Sequence, residues 1–332
     1  MLATSAAGIF TINGAHWREG LDDGSGFTGV EEKELAVTAN SWLHGDASYG
    51  PIANPSVTVV VPMYNEADCI GECVQSLLQQ EFSPLEVLIV DDGSTDESVS
   101  VCEKLNVTVL TPEHLGPGAA RNLGARHAKG NILVFADADM VLASDYVSKL
   151  TAPIASGEVV ATCHWDELVL DWENPLARCE TYYRGLSERR RQPIEPPAGE
   201  EVYRAVRKDF FFAAGGFAEN AGRGDDSSVF RRTGVLAKIV REAGCYHRGA
   251  SSWREVFREG IWSGRHVTVE RQARWKRSLH ALLLRNPVSS VWRIWPKVYA
   301  TRESRLLLYA VVHSLGYDLG VINGLVTRNY RK

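Results

Sequence analysis

The spacing of apolar residues changes several times along the chain, and each change marks an element. Residues 57–61 form a β-branched run closed by Pro62 and read as a buried strand. Ile70, Cys73, Val74, Leu77 and Leu78 then recur at intervals of three and four, the stripe of an amphipathic helix. Residues 85–90 give a second strand, 107–111 a third and 131–136 a fourth. Ser94-Thr95-Asp96-Glu97 has the form of a capping box that opens a helix after the second strand. Pro117 near a first turn and Gly130 just past an end bracket the next helix, and another opens at Ser144. Regular strand–helix alternation predicts a mostly parallel sheet with helices on both faces.

Outside that stretch the pattern loosens. Residues 1–55 scatter Gly and Ser through polar text and predict an extension with little regular structure, although Trp17 and Trp42 would gain by packing down. Residues 157–247 are mixed, with a strand-like run at 158–163, a helical pattern around 174–190 and a loop marked by Pro193, Pro196 and Pro197. An apolar segment at 306–326 is long enough in number for a bilayer, but it contains His313, Asp318 and Asn323. Gly316, Gly320 and Gly324 would form one smooth stripe suited to close helix packing. A buried or interfacial helix fits this segment better than a span. The expected division is an extension at 1–55, an α/β domain at 56–265 and a helical basic region at 266–332.

Composition narrows the class. A chain of 332 residues with 45% hydrophobic and 23% charged residues is an ordinary globular protein. The net charge of -5 argues against a general nucleic-acid binder. Charge is unevenly placed: residues 254–332 hold 15 Lys and Arg against 5 Asp and Glu, and the first 253 hold 21 against 36. An acidic body with a basic tail implies that the tail meets something anionic. The six cysteines include no C-x-x-C pair, and the N-terminus has no basic region followed by an unbroken apolar stretch. A reduced, cytoplasmic protein is the expectation.

Candidate chemistry follows from where the acidic residues fall. In open parallel α/β sheets, ligands bind at the carboxyl ends of the strands. The first predicted strand is followed by Pro62-Met63-Tyr64-Asn65-Glu66, the second by Asp91-Asp92-Gly93-Ser94 and the fourth by Asp137-Ala138-Asp139. Three acidic clusters on one rim repel one another unless a cation or a donor-rich ligand joins them. Asp92 and Ser94 have a simpler reading as helix caps. Two carboxylates on alternate residues can divide labour: one hydrogen-bonds ribose hydroxyls, the other holds Mg²⁺ or Mn²⁺, which bridges phosphates. Neither a Walker A loop nor a G-x-G-x-x-G fingerprint follows the first strand. Neutralisation of a diphosphate would fall to metal and side chains, with Arg121 one candidate; a pairing of Arg121 with a rim carboxylate is the competing reading.

These motifs together resemble the family 2 glycosyltransferases of the GT-A fold. The matching text is V-T-V-V-V-P-M-Y-N-E at 57–66, V-D-D-G-S-T-D at 90–96, G-A-A-R-N-L-G at 118–124 and V-F-A-D-A-D at 134–139. F-A-A-G-G-F at 212–217, followed by Gly224-Asp225-Asp226, resembles the family's Gly-Glu-Asp element. The resemblance implies an inverting, metal-dependent transfer from a nucleotide-diphospho-sugar to a saccharide, lipid-linked or other acceptor hydroxyl. It implies a nucleotide half at 56–150 and an acceptor half at 151–265. Pro62, Tyr64 and Glu66 would line the nucleotide pocket, Asp91 would read the base edge with Asp92 beside it, and Arg121 would lie near the diphosphate or base. Asp137 would contact ribose and Asp139 would ligate Mg²⁺ or Mn²⁺, with His247 completing the metal shell. Asp226 matches the catalytic base; Asp225 stands where Glu is usual and Ser228 where a further acidic residue is common, so Asp225 shares the candidacy. Trp262 and Arg265 match a downstream element loosely, as an acceptor-stacking and a phosphate-touching residue, with core packing and solvent as their plain readings.

Two other functions fit the same plan: a nucleotidyltransferase that makes nucleotide-sugars, disfavoured because no Gly-rich loop follows the first strand, and an inactive sugar-nucleotide-binding scaffold. In the tail, Trp275, Trp292 and Trp295 lie among Arg271, Arg274, Lys276, Arg277, Arg293 and Lys297. That mixture resembles an interfacial belt and suggests contact with the inner face of an anionic membrane. A helical cap with a solvated basic face is the competing reading.

Overall fold

The structure is a computed structural model that describes residues 9–12, 15–18, 49–113, 115–219, 224–266 and 286–327. Trp17 is described only as strand backbone. Trp42, Trp275 and their neighbours, with Arg271, Arg274, Lys276 and Arg277, lie outside the described residues. The chain divides into Met1–Thr38 and Ala39–Lys332. In the first unit β1 (Ile9–Ile12) pairs antiparallel with β2 (Ala15–Arg18), a hairpin within the stretch expected to have little regular structure.

The second unit is built on a seven-stranded sheet. Its members are β3 (Val57–Met63), β4 (Leu85–Asp91), β5 (Thr108–Leu110), β6 (Ile132–Phe135), β8 (Ala161–His164), β10 (Ala205–Arg207) and β11 (Lys238–Val240), in the order β11-β8-β10-β6-β3-β4-β5. β3 runs parallel to β4 and β6, β4 to β5, and β8 to β11. β10 is antiparallel to both β6 and β8. This mixed α/β sheet is mostly parallel, as expected, but β10 was not legible: three residues give no alternation to read. A second sheet, also unforeseen, places β12 (Cys245–His247) between β7 (Met140–Leu142) and β9 (Glu167–Val169).

Alternation along β3 sends side chains to two cores. Val57, Val59 and Val61 pack with Ile70, Cys73, Val74 and Leu77 of α1 (Ile70–Leu78) and with Tyr146 and Val147 of α4 (Tyr146–Ala155). Val60 packs on the other face with Ala120 and Ala125 of α3 (Pro117–His127) and with Phe210 and Phe211 of α6 (Lys208–Ala213). Leu78 is exposed rather than part of the stripe. All six cysteines are free and buried.

The predicted capping box does something else. Helix α2 begins later, at Ser98 (Ser98–Lys104). Ser94 Oγ accepts the Asn65 N–H at 2.8 Å, Ser98 Oγ accepts the Glu66 N–H at 2.8 Å, and Asp96 Oδ2 accepts the Ala67 N–H at 3.2 Å. These bonds satisfy the backbone of the neighbouring loop and fix the turn that follows β3, while Asp96 Oδ1 also accepts the Ser98 N–H at 3.0 Å at the start of its own helix.

Helices α5 (Pro175–Arg184), α8 (Trp253–His266), α9 (Pro287–Thr301) and α10 (Arg305–Thr327) enclose a third core of Leu176, Cys179, Val256, Ile294, Leu306, Tyr309 and Ala310. Residues 305–325 of α10 are long and apolar enough to cross a membrane by length and composition. One face of α10, however, closes on α8 through backbone contact. A Cβ on Gly320 would sit 2.1 Å from Ile261 O, and one on Gly316 2.2 Å from Phe257 O. Gly260 and Gly264 answer from α8, 2.3 Å from His313 O and 2.1 Å from Tyr317 O.

Gly320→Val therefore overpacks a helix contact with no room to yield and should cost ~1–3 kcal/mol or more. Gly50→Ala, where nothing lies within 4 Å, should be near neutral. Urea unfolding of both variants checks this; equal midpoints would mean that the two helices do not meet as described.

Candidate active site

Because β4, β3 and β6 run parallel and adjacent, their carboxyl ends share one edge, and the three acidic segments fall there together. Pro62, the penultimate residue of β3, is half-buried, and Tyr64 and Glu66 follow the strand, also half-buried. Asp91 is buried at the end of β4, where its oxygens accept the Ser94 N–H at 3.2 and 3.3 Å. Asp92 accepts the N–H of Leu115 at 2.5 Å and of Gly116 at 2.9 Å, which holds the loop entering α3. These bonds go to the residues before α3 and not to its first turn, so Asp92 holds the entering loop without capping the helix.

Asp137 is gripped from two sides. Arg121 Nη2 of α3 lies 2.8 Å from Oδ1, and Arg204 Nη1, just before β10, lies 2.8 Å from Oδ2. Burial alone would raise this carboxyl; the two guanidiniums override it and hold it well below the usual carboxylate range. Arg121 Nη1 also reaches Asp225 Oδ2 at 2.8 Å. The result is a chain of alternating charge, Asp225–Arg121–Asp137–Arg204, which ties the segment before α7 (Ser228–Thr233) to the end of β6. Of the two readings of Arg121, the structure shows the pairing with rim carboxylates.

A second chain starts at Asp139. The register of β12 sets His247 opposite Met140 and Cys245 opposite Glu167, which delivers the imidazole between two carboxylates. His247 Nε2 donates to Asp139 Oδ2 at 2.9 Å, and Nδ1 donates to Glu167 Oε1 at 2.5 Å. Burial pulls the ring down, but the two carboxylates outweigh it, and its pKa is pushed up to about 9. Arg191 Nε, 2.9 Å from Glu167 Oε1, continues the chain to Glu180 at 3.4 Å. Beside Arg191, Arg190 pairs with Asp166 at 2.5 Å, and the exposed Arg189 donates to the carbonyl of Val169.

Asp139 and His247 supply one carboxylate oxygen and one imidazole nitrogen side by side, with Glu167 on the far ring nitrogen, the partner that orients a metal-binding histidine. No group of three or more His, Cys, Asp and Glu suited to a metal occurs among the described residues. The donor set fits a hard divalent cation that takes its remaining ligands from phosphate and water, as Mg²⁺ does, and not an all-protein cage. Asp226 is half-buried; its Oδ1 accepts the Ser227 N–H at 2.8 Å, and its own N–H donates to Asp225 Oδ1 at 2.9 Å. Of the two candidate bases, Asp225 is thus the buried ion-pair partner and Asp226 the more accessible carboxylate. Trp262 and Arg265 lie half-buried on α8.

Residues 58–211 match the family model described as glycosyl transferase family 2. The chain is 33% identical over 104 residues to the glycosyltransferase GlyA of Streptococcus pneumoniae, an overlap of 30% of this chain and 15% of that protein. It is 33% identical over 101 residues to an uncharacterized glycosyltransferase of Haemophilus influenzae, covering 29% of this chain and 40% of that one. The chain therefore spans less than half the length of these relatives. Among solved structures, a mannosyltransferase of Pyrobaculum calidifontis, in complex with GDP-Man and Mn²⁺, is similar in fold, with a TM-score of 0.52, 19% identity and coverage of 90% of this chain and 99% of that one.

Burial pushes the Asp225 carboxyl up to about 6 from 3.8, against the pull of Arg121 and helped by Asp226. A carboxyl raised on folding adds stability that is fully present below its unfolded pKa and is lost as pH rises through the folded one. Wild-type stability should therefore decline relative to Asp225→Asn between pH 4 and 6. Urea unfolding across that window tests it, and a pH-independent difference would contradict the assignment.

Proposed function

We propose that this chain, which carries a family 2 glycosyltransferase domain over residues 58–211, moves a sugar from a nucleotide-diphospho-sugar to an acceptor hydroxyl in one inverting displacement. The observation that carries the reading is the Asp139–His247 pair, braced by Glu167 and set beside the doubly clamped Asp137 at the carboxyl edge of the sheet. A similar fold is known with GDP-Man and Mn²⁺ bound, which supports the donor class and the cation.

Residues 56–150 act as the nucleotide half. Pro62, Tyr64 and Glu66 line the pocket, Asp91 reads the base edge, and Asp137 faces the ribose, kept ionised and immobile by Arg121 and Arg204. Asp139 and His247 hold Mg²⁺ or Mn²⁺, which when bound neutralises the diphosphate and eases its departure. Residues 151–265 form the acceptor half, with Trp262 and Arg265 on its acceptor side. Asp226 takes the proton of the acceptor hydroxyl as the new O–C1 bond forms. The old C1–O bond breaks with its electron pair leaving on the nucleoside diphosphate, so the anomeric centre inverts. The Arg121–Asp225 link holds the Asp226 segment to the nucleotide half. The acceptor is a saccharide, free or lipid-linked. The basic region at 266–332 makes a peripheral contact with an anionic membrane from its cytoplasmic face. Nucleic acid is not a partner.

Asp226→Asn should lower kcat by ~10²–10⁴ while leaving donor binding intact. Near-normal transfer in a donor-turnover assay would remove Asp226 as the base. A nucleoside diphosphate with Mn²⁺ at ~100 times its Kd should stabilise the chain by about 2.7 kcal/mol. Chelation of the metal, or Asp139→Asn, should abolish most of that gain; thermal unfolding of the full chain measures it. Undiminished stabilisation in Asp139→Asn would contradict the cation site.

A further inference from the structure

α9 and α10 are each amphipathic, but with the faces used in an unusual way. On α9, Ser290 and Ile294 are buried, while Val288, Trp292, Trp295 and Tyr299 repeat at intervals of four, three and four and stand 69, 79, 60 and 88% exposed. On α10, Tyr309, Ala310, Tyr317 and Val321 are buried, while Leu308, Leu315, Leu319 and Ile322 form a second stripe about half exposed. The helices meet through their inner faces, Ser314 Oγ donating to Ser290 Oγ at 2.6 Å. Two large apolar stripes thus lie on the outside of one helical hairpin. Soluble surfaces rarely keep so many large apolar side chains uncovered without an occupant.

The chemistry around the stripes selects the occupant. Trp and Tyr are the side chains that settle where one end is apolar and the other wet. Arg293, Arg302 and Arg305 stand exposed beside them. Within 286–327 the sequence holds four cations, with Lys297, against Glu303 and Asp318. Glu303 is turned inward onto Arg178 at 3.1 Å, and Lys297 donates to the carbonyls of Tyr182 and Tyr183, so the hairpin is fastened to α5 by its polar groups. Cationic, aromatic and nearly free of uncompensated acid, the outer side matches an anionic lipid surface better than a second copy of the same basic face, which would repel itself.

Insertion across the bilayer is a different matter. α10 has the length, but Gly316 and Gly320 lock one face backbone to backbone on α8, and the half-buried Asp318 interrupts the apolar run of the helix. We infer that the outer faces of α9 and α10 form one docking surface for an anionic lipid bilayer, on which the chain lies through Trp292, Trp295, Tyr299, Leu315 and Leu319 without spanning it. This surface rests on the membrane-contact part of the reading above, not on its sugar chemistry.

The test is flotation of the full chain with vesicles of phosphatidylcholine and phosphatidylglycerol, against phosphatidylcholine alone. Wild type should float with the anionic vesicles and fall back as salt rises. The triple variant Trp292→Ser, Trp295→Ser, Tyr299→Ser should bind at least about tenfold more weakly, and Leu78→Ser, an exposed leucine on α1, should float like wild type. Stabilisation by a nucleoside diphosphate with Mn²⁺ should be equal in wild type and the triple variant. Its absence from a wild type that still floats would sink the catalytic reading and leave this surface standing. Should the triple variant fail to fold, Arg293→Gln with Arg302→Gln and Arg305→Gln carries the test, with roughly a hundredfold weaker binding to anionic vesicles expected. Wild type that stays soluble, or apolar and arginine variants that both float like wild type, overturn the proposal. So does a lipid-free dimer, by sedimentation, that the triple variant dissolves, since a second copy would then be the occupant.

Discussion

Asp137 held between two guanidiniums is the contact on which the rest depends. A parallel sheet gathers the ends of its strands on one edge, and this sequence loads that edge with carboxylates. Left alone they would repel one another or take up protons. Arg121 and Arg204 settle the charge at the centre, and they come from opposite sides of the sequence: one from the helix after β5, the other from the approach to β10. By engaging Asp225 as well, Arg121 also fixes how far the segment carrying Asp226 stands from the strand ends. A buried ion pair of this kind is weak evidence for stability, because desolvation offsets much of the attraction. Its value here is geometric, since it keeps an ionised carboxylate fixed at the strand ends.

The Asp139–His247–Glu167–Arg191 chain follows the same logic one step outward. A small three-stranded sheet threads β12 between β7 and β9, and its register alone brings together residues 108 and 80 positions apart. The imidazole is braced on one nitrogen and offers the other toward Asp139. The two chains of charge therefore divide the edge into a doubly clamped carboxylate at Asp137 and a carboxylate–imidazole pair at Asp139 and His247.

Much of this was legible beforehand, for identifiable reasons. β3, β4 and β6 are runs buried on both faces, so their apolar text is nearly continuous, and the acidic residues after them follow from position alone. His247 was found through the resemblance and not through spacing. Arg204, Glu167 and Glu180 carried no local signal, because each is chosen by a partner supplied by tertiary pairing. The box at Ser94 was misread for a related reason: local capping and long-range satisfaction of a neighbouring loop use the same side chains, and sequence does not say which backbone will be nearer. The glycine stripe of α10 packs through Gly316 and Gly320, and its partners Gly260 and Gly264 on α8 are set opposite by tertiary packing that the local pattern does not encode.

The central claim is that the carboxylate edge joins a nucleoside diphosphate through a cation held by Asp139 and His247. Pulsed electron paramagnetic resonance of the full chain with Mn²⁺ and a nucleoside diphosphate addresses it directly. The account predicts a single bound ion coupled both to an imidazole nitrogen, lost in His247→Ala, and to phosphorus. An ion coupled to phosphorus alone, or nitrogen coupling that survives His247→Ala, would contradict it.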